Sequence, residues 1–151
     1  MYTSSMTPEK ALAGFGLGCA QHVFGEFAPQ FGIERETALK IASLFGSGMF
    51  EGATCGAVVG ALMAIGLRYG QGDDPEPEKQ DLLLQKGAEF KARYAEIYGS
   101  CVCREILGHK IPEELAQIEA ENKFVTVCSR AISDACRICS DILNEEAPPC
   151  R

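Results

Sequence analysis

Apolar residues recur along this chain at intervals of three and four, the spacing that puts side chains on one face of a helix. Leu12, Phe15, Cys19, Val23 and Phe27 form the first such stripe. Thr7-Pro8 opens it, with the hydroxyl as cap and proline in the first turn, and Pro29 closes it. Ile33, Ala38, Ile41, Ala42 and Phe45 predict a second helix, stopped by Gly46. A third is expected from a Thr54 cap to about Tyr69, and a fourth from Glu76 to Tyr98, carrying Leu83, Phe90, Tyr94 and Ile97. A short fifth follows Ser100 and ends at Gly108. A last helical region, opened by Pro112, runs to about Asn144 with a break near Asn122. Sustained alternation and Asn-Gly or Asp-Gly hairpin turns are missing, so strands are not expected. The pattern predicts an all-α fold: one compact domain over 1–151, a bundle of five to seven helices around a glycine-rich central helix, with a flexible N-terminus and C-terminal tail.

Composition narrows the partners. At 151 residues the chain can bury a core without disulfide staples. A net charge of -7 argues against nucleic acid or an anionic membrane, both of which need clustered Lys and Arg. The most apolar run, 53–67, falls short of the roughly 20 residues that span a bilayer, so no transmembrane segment is expected. "MYTSSMTPEKALAGFG" lacks the basic-then-apolar layout of a secretory signal, and the expected location is cytoplasmic.

Eight cysteines change the picture, because in a reducing compartment such a count points to metal or redox chemistry. Cys55 lies among Gly52, Gly56 and Gly60, spaced by four. In a helix those glycines share a face and admit a second backbone, or a ligand, close to the sulfur. In the first turn of a helix capped by Thr54, Cys55 would meet free amides and the helix dipole, which favour a thiolate. Cys101 and Cys103 also fall near a helix start, beside Arg104, and Cys103 is expected to face the same site if Ile106 and Leu107 mark the buried side. For each of these the ordinary alternative is that cysteine serves as a small apolar filler. Cys19 sits mid-stripe with His22 three residues on. Cys128 and Cys139 share the last helix's stripe, Cys136 its edge, where packing is the stronger expectation, and Cys150 lies in the tail.

These pieces join in a resemblance. "CGAVVG" at 55–60 after "FGSGM" at 45–49 resembles the core signature of the C_GCAxxG_C_C redox-active proteins, described by a CGAxxG motif and four characteristic cysteines. "GCAQHVFGEF", "GLRYG", "CREILG" and "VCSRAISDACRIC" are similar to that family's other segments. The resemblance implies that Cys19, Cys55, Cys103 and Cys128 are the four, with Cys101, Cys136, Cys139 and Cys150 as additions. It implies a compact helical domain, fused in some relatives to haem-bearing modules related to split-Soret cytochromes and encoded in others near transporter genes. This chain has no C-x-x-C-H for covalent haem attachment.

Two chemistries fit four convergent thiols. In the first, Cys55 attacks a disulfide or oxidant and Cys103 or Cys19 resolves the intermediate, electrons passing to an unidentified redox partner. In the second, Cys19, Cys55, Cys103 and Cys128 hold a [2Fe-2S] cluster or zinc, with Gly52, Gly56 and Gly60 letting the cofactor approach backbone amides. A third reading is a non-catalytic helical domain whose glycine-rich face docks a partner, a homodimer included.

Overall fold

The computed structural model of the chain describes residues 1–14 and 16–146. Among them are eight α-helices and no strand: α1 (Pro8–Ala13), α2 (Cys19–Phe27), α3 (Arg35–Ile41), α4 (Gly56–Tyr69), α5 (Pro77–Tyr98), α6 (Cys103–Leu107), α7 (Leu115–Ala120) and α8 (Ser129–Leu143). The fold is all-α, with α4 at its centre and α2, α5 and α8 packed around it. Phe27, Ile65, Phe90, Tyr94, Ile138 and Ile142 are buried where these helices meet. Each contributes about 1.5–3 kcal/mol through its removal from water.

The helix count exceeds the expected five to seven: the first expected helix is split in two, and the last region breaks near Asn122 as expected. Thr7 caps α1 through its Oγ1, which accepts from the Lys10 amide at 3.2 Å. That helix stops at Gly14, and the chain restarts only at Cys19, with Gln21 Oε1 accepting from the Gly18 amide at 2.8 Å. Cys19 therefore opens a helix instead of sitting inside one. The last region breaks at Asn122, which has a φ of 58°, and resumes as a π-helical turn, Phe124–Cys128, leading into α8.

The N-terminal residues, expected to be loose, are tied down. The Tyr2 amide donates to Asn144 Oδ1 and Asn144 Nδ2 donates to the Tyr2 carbonyl, both at 2.7 Å. Arg93 reaches Asp141 at 2.7 Å, fastening α5 to α8. The expected tail beyond 146, with Cys150, lies outside the described residues. Among the described residues no helix is long and apolar enough to cross a membrane.

Candidate functional site

Backbone pairing sets the relation between Cys55 and Cys103. Thr54 does not cap α4; it forms an antiparallel bridge with Val102, and Cys55 itself takes the cap position. The Cys55 amide donates to the Cys101 carbonyl at 2.7 Å, and the Cys103 amide to the Ala53 carbonyl at 2.6 Å. One sulfur thus precedes α4 while the other opens α6, and both flank the same isolated bridge. The approach depends on "FGSGM": Ser47, Gly48, Met49 and Phe50 all have positive φ, between 49° and 62°, which coils the loop left-handed. Such a conformation costs a non-glycine residue roughly 1–2 kcal/mol. At Gly48 it is indispensable, since a Cβ there would lie 2.4 Å from the Ala53 nitrogen and 2.9 Å from Cys103 Cβ.

Glycine also brings in the third cysteine. A Cβ on Gly56 would meet the Phe45 oxygen at 2.8 Å and Cys19 Cβ at 3.1 Å; one on Gly60 would meet the Ala20 oxygen at 2.8 Å and Val23 Cβ at 3.0 Å. The missing side chains let α2 lie directly on α4, so that the start of α2 sits beside the start of α4. Gly52 does not share their face: it belongs to the loop, with a φ of 68°, and a Cβ there would lie 3.2 Å from Arg104 Cβ. The expectation of three glycines on one helical face is thereby corrected, and beside Gly60 the space is filled by α2.

Cys128 ends the π-helical turn, directly before α8, and shares the walls of two adjoining cavities with Cys19. Cys19, Cys55, Cys103 and Cys128 all line one cavity of about 30 Å³, closed by Ile106, Leu107, Phe124 and Val127. That volume is on the order of one or two waters. All seven described cysteines are free thiols.

The environment favours the neutral thiol, against the expectation of a thiolate. Burial pushes the Cys55 thiol up, with Cys19 adding to the rise; the Tyr94 hydroxyl and the amides of Ala57 and Val58 act in the opposite direction without prevailing. The helix start does attract negative charge, but its effect is worth about 0.3–1 kcal/mol at an open site and is outweighed here by desolvation. Cys103 is pushed up to about 12, first by burial and then by Cys55 and Cys19; Arg104 does not offset this. Cys19 keeps a partly exposed surface as a residue, yet its sulfur is densely surrounded. The influence of the Cys128 thiol, followed by burial, holds its proton well above the usual thiol range.

The remaining cysteines stand apart. Cys101 turns away from the cavity and bonds the Lys91 carbonyl at 3.6 Å. Cys136 and Cys139 are sealed in the core of α8, with Cys139 Sγ 3.8 Å from the Ala61 oxygen. His22 is buried, its ring set where Gly14 has no Cβ. Two participants were missed by sequence reasoning. Tyr94, taken for core, bonds Cys55 Sγ at 3.2 Å, and Ser47, counted only as loop, lines the cavity.

The four thiols share a cavity without forming a chelate: among the described residues no group of three or more His, Cys, Asp or Glu side chains is arranged to hold a metal ion. The donor set therefore does not fit zinc or an iron-sulfur cluster as it stands.

The profile of the family described as "Putative redox-active protein (C_GCAxxG_C_C)" matches residues 17–142, and the chain belongs to that family. No curated protein and no solved structure gives a significant match.

Proposed function

We propose that this member of the C_GCAxxG_C_C family is a thiol-disulfide redox protein, with Cys19 and Cys128 as its working pair and Cys55 and Cys103 beside them as protonated thiols that complete the cavity. The observation that carries the reading is the convergence of all four cysteines on one small cavity, with Cys19 and Cys128 also lining the larger space beside it. Two thiols that line the same walls can close to a disulfide once their Cβ atoms come within about 4.5 Å, whereas among the described residues no three of the His, Cys, Asp or Glu side chains are grouped to hold a metal ion. Cys19 is packed against Gly56 where α2 meets α4, so Cys128, on the turn that walls the larger space, is assigned the attack on an incoming disulfide and Cys19 the resolving step. Apolar walls from Ile106, Leu107, Phe124 and Val127 keep water from the intermediate.

The test is a redox titration. Equilibrated in dithiothreitol buffers of graded oxidation, the protein should lose about two mass units in one step, the mass of the two hydrogens released per disulfide. Peptide mapping should place the bond between Cys19 and Cys128. Cys19→Ser and Cys128→Ser should each remove the step, and Cys139→Ser should retain it. A constant mass across the series, or a bond mapped to Cys136 and Cys139, overturns the reading.

A further inference from the structure

The site cavity cannot itself receive a substrate, because about 30 Å³ has room for little more than a water. A second, larger space of about 210 Å³ adjoins it, roughly seven times a water's share of the liquid. Cys19, Ser47, Phe124 and Cys128 line both, so the cleft opens onto the proposed pair and not onto Cys55 or Cys103. One wall is formed by Leu12 of α1 with Gly14 and Leu17 beyond it; the other is the π-helical turn and the start of α8, with Val125 and Ile132. Leu12 and Val125 are each 41% exposed, which puts them at its rim.

The chemistry of the walls selects the occupant. Among the described residues lining the cleft there is no Lys, Arg, Asp or Glu. Its one imidazole, His22, is held towards the neutral form by burial and by Arg35. A charged group entering such a space gives up water without gaining a partner. An anion is further opposed by the chain's net charge of -7.

We propose that this cleft is the entrance through which a small disulfide with uncharged, apolar flanking groups reaches Cys128. The inference rests on the thiol-disulfide reading above. Cys128 loses its proton to solvent and attacks one sulfur of R–S–S–R; a protein–substrate disulfide forms and R–S⁻ leaves, taking up a proton. Cys19, also deprotonated, then attacks Cys128 Sγ, forming the intramolecular disulfide and releasing the second thiolate. The substrate gains two electrons and ends as two R–SH, while the protein loses two electrons and two protons.

Reduced protein is mixed with 4,4'-dithiodipyridine, which is neutral, or with 5,5'-dithiobis(2-nitrobenzoate), a dianion, each rate being divided by that of the same reagent with free cysteine. The neutral reagent should react at least about tenfold faster on this corrected scale. Acid quenching should place the first mixed disulfide on Cys128. Leu12→Trp and Val125→Trp, which fill the rim from exposed positions, should each slow the neutral reagent about fivefold or more, while Leu12→Ala should not. Their redox midpoints in dithiothreitol should match the parent protein. Equal corrected rates for the two reagents, unaltered rates in both Trp variants, or a first adduct on Cys55, Cys101 or Cys103 overturns the entrance. These outcomes leave the midpoint measurement standing, whereas failure to form any Cys19–Cys128 disulfide in dithiothreitol removes the underlying reading instead.

Discussion

Cys55 Sγ and the Tyr94 hydroxyl oxygen lie 3.2 Å apart, and both side chains are buried. Burial drives the Tyr94 phenol far above its ordinary range, with Cys55 as the next cause, so the hydroxyl keeps its proton and can donate it to a sulfur that ionises. Tyr94→Phe removes that donor while keeping the ring in place. Alkylation of Cys55 by iodoacetamide should slow roughly fivefold, the equivalent of about 1 kcal/mol in one hydrogen bond, with a similar loss of folding stability. An unchanged rate, read by peptide mass spectrometry, would remove Tyr94 from the site.

Raised thiol pKa values tie stability to alkaline pH. Unfolded thiols titrate near the ordinary value of 9.0, whereas Cys103 in the folded chain holds its proton to about 12. Between those values the unfolded state binds fewer protons, so stability falls as pH rises. The contribution is complete below pH 9 and lost progressively toward pH 12. Urea midpoints measured from pH 7 to 11 should drop above pH 9, and Cys103→Ala should flatten that drop. A midpoint that climbs across this range contradicts the buried, protonated thiols.

Two glycines of α4 should respond oppositely to the same substitution. At Gly60 an added Cβ meets the Ala20 oxygen at 2.8 Å, and at Gly66 it meets nothing within 4 Å. Alanine gains up to about 1 kcal/mol over glycine within a helix, while overpacking costs about 1–3 kcal/mol. Gly66→Ala should therefore raise the denaturation midpoint and Gly60→Ala lower it. Equal effects would mean that the contact between α2 and α4 is looser than described.

Gly48→Ala attacks the site through its backbone. The position has a φ of 62°, and the new Cβ would crowd the Ala53 nitrogen and Cys103 Cβ. Relief requires the loop to leave Cys103, at a cost of about 3 kcal/mol or more. The variant should melt well below the parent, and Cys103 should become open to alkylation at neutral pH. A parent-like melt together with a protected Cys103 would refute the account of this loop.

The sequence carried the helices and the candidate cysteines because both depend on local signals: three-to-four spacing, capping residues and a short motif. The break between Gly14 and Gly18 was not legible, since Leu12 and Cys19 fit one stripe whether or not the helix continues. Small neighbours around Cys55 suggested an open sulfur. They act instead by admitting α2, so the same residues produce burial, which reverses the thiolate argument. Tyr94 was hidden for a related reason: on α5 it fits an apolar stripe, and only the tertiary fold shows that its hydroxyl ends at Cys55. The π-helical turn has no signature in "FVTVC" that spacing alone reveals.

The Thr54–Val102 bridge makes the distance between Cys55 and Cys103 a property of main-chain atoms. Side-chain changes around the cavity can therefore retune the chemistry of these two cysteines without altering the separation of the backbone segments that carry them. Evolution, or an engineer, is free to vary the lining as long as the short crosspiece between the two segments survives.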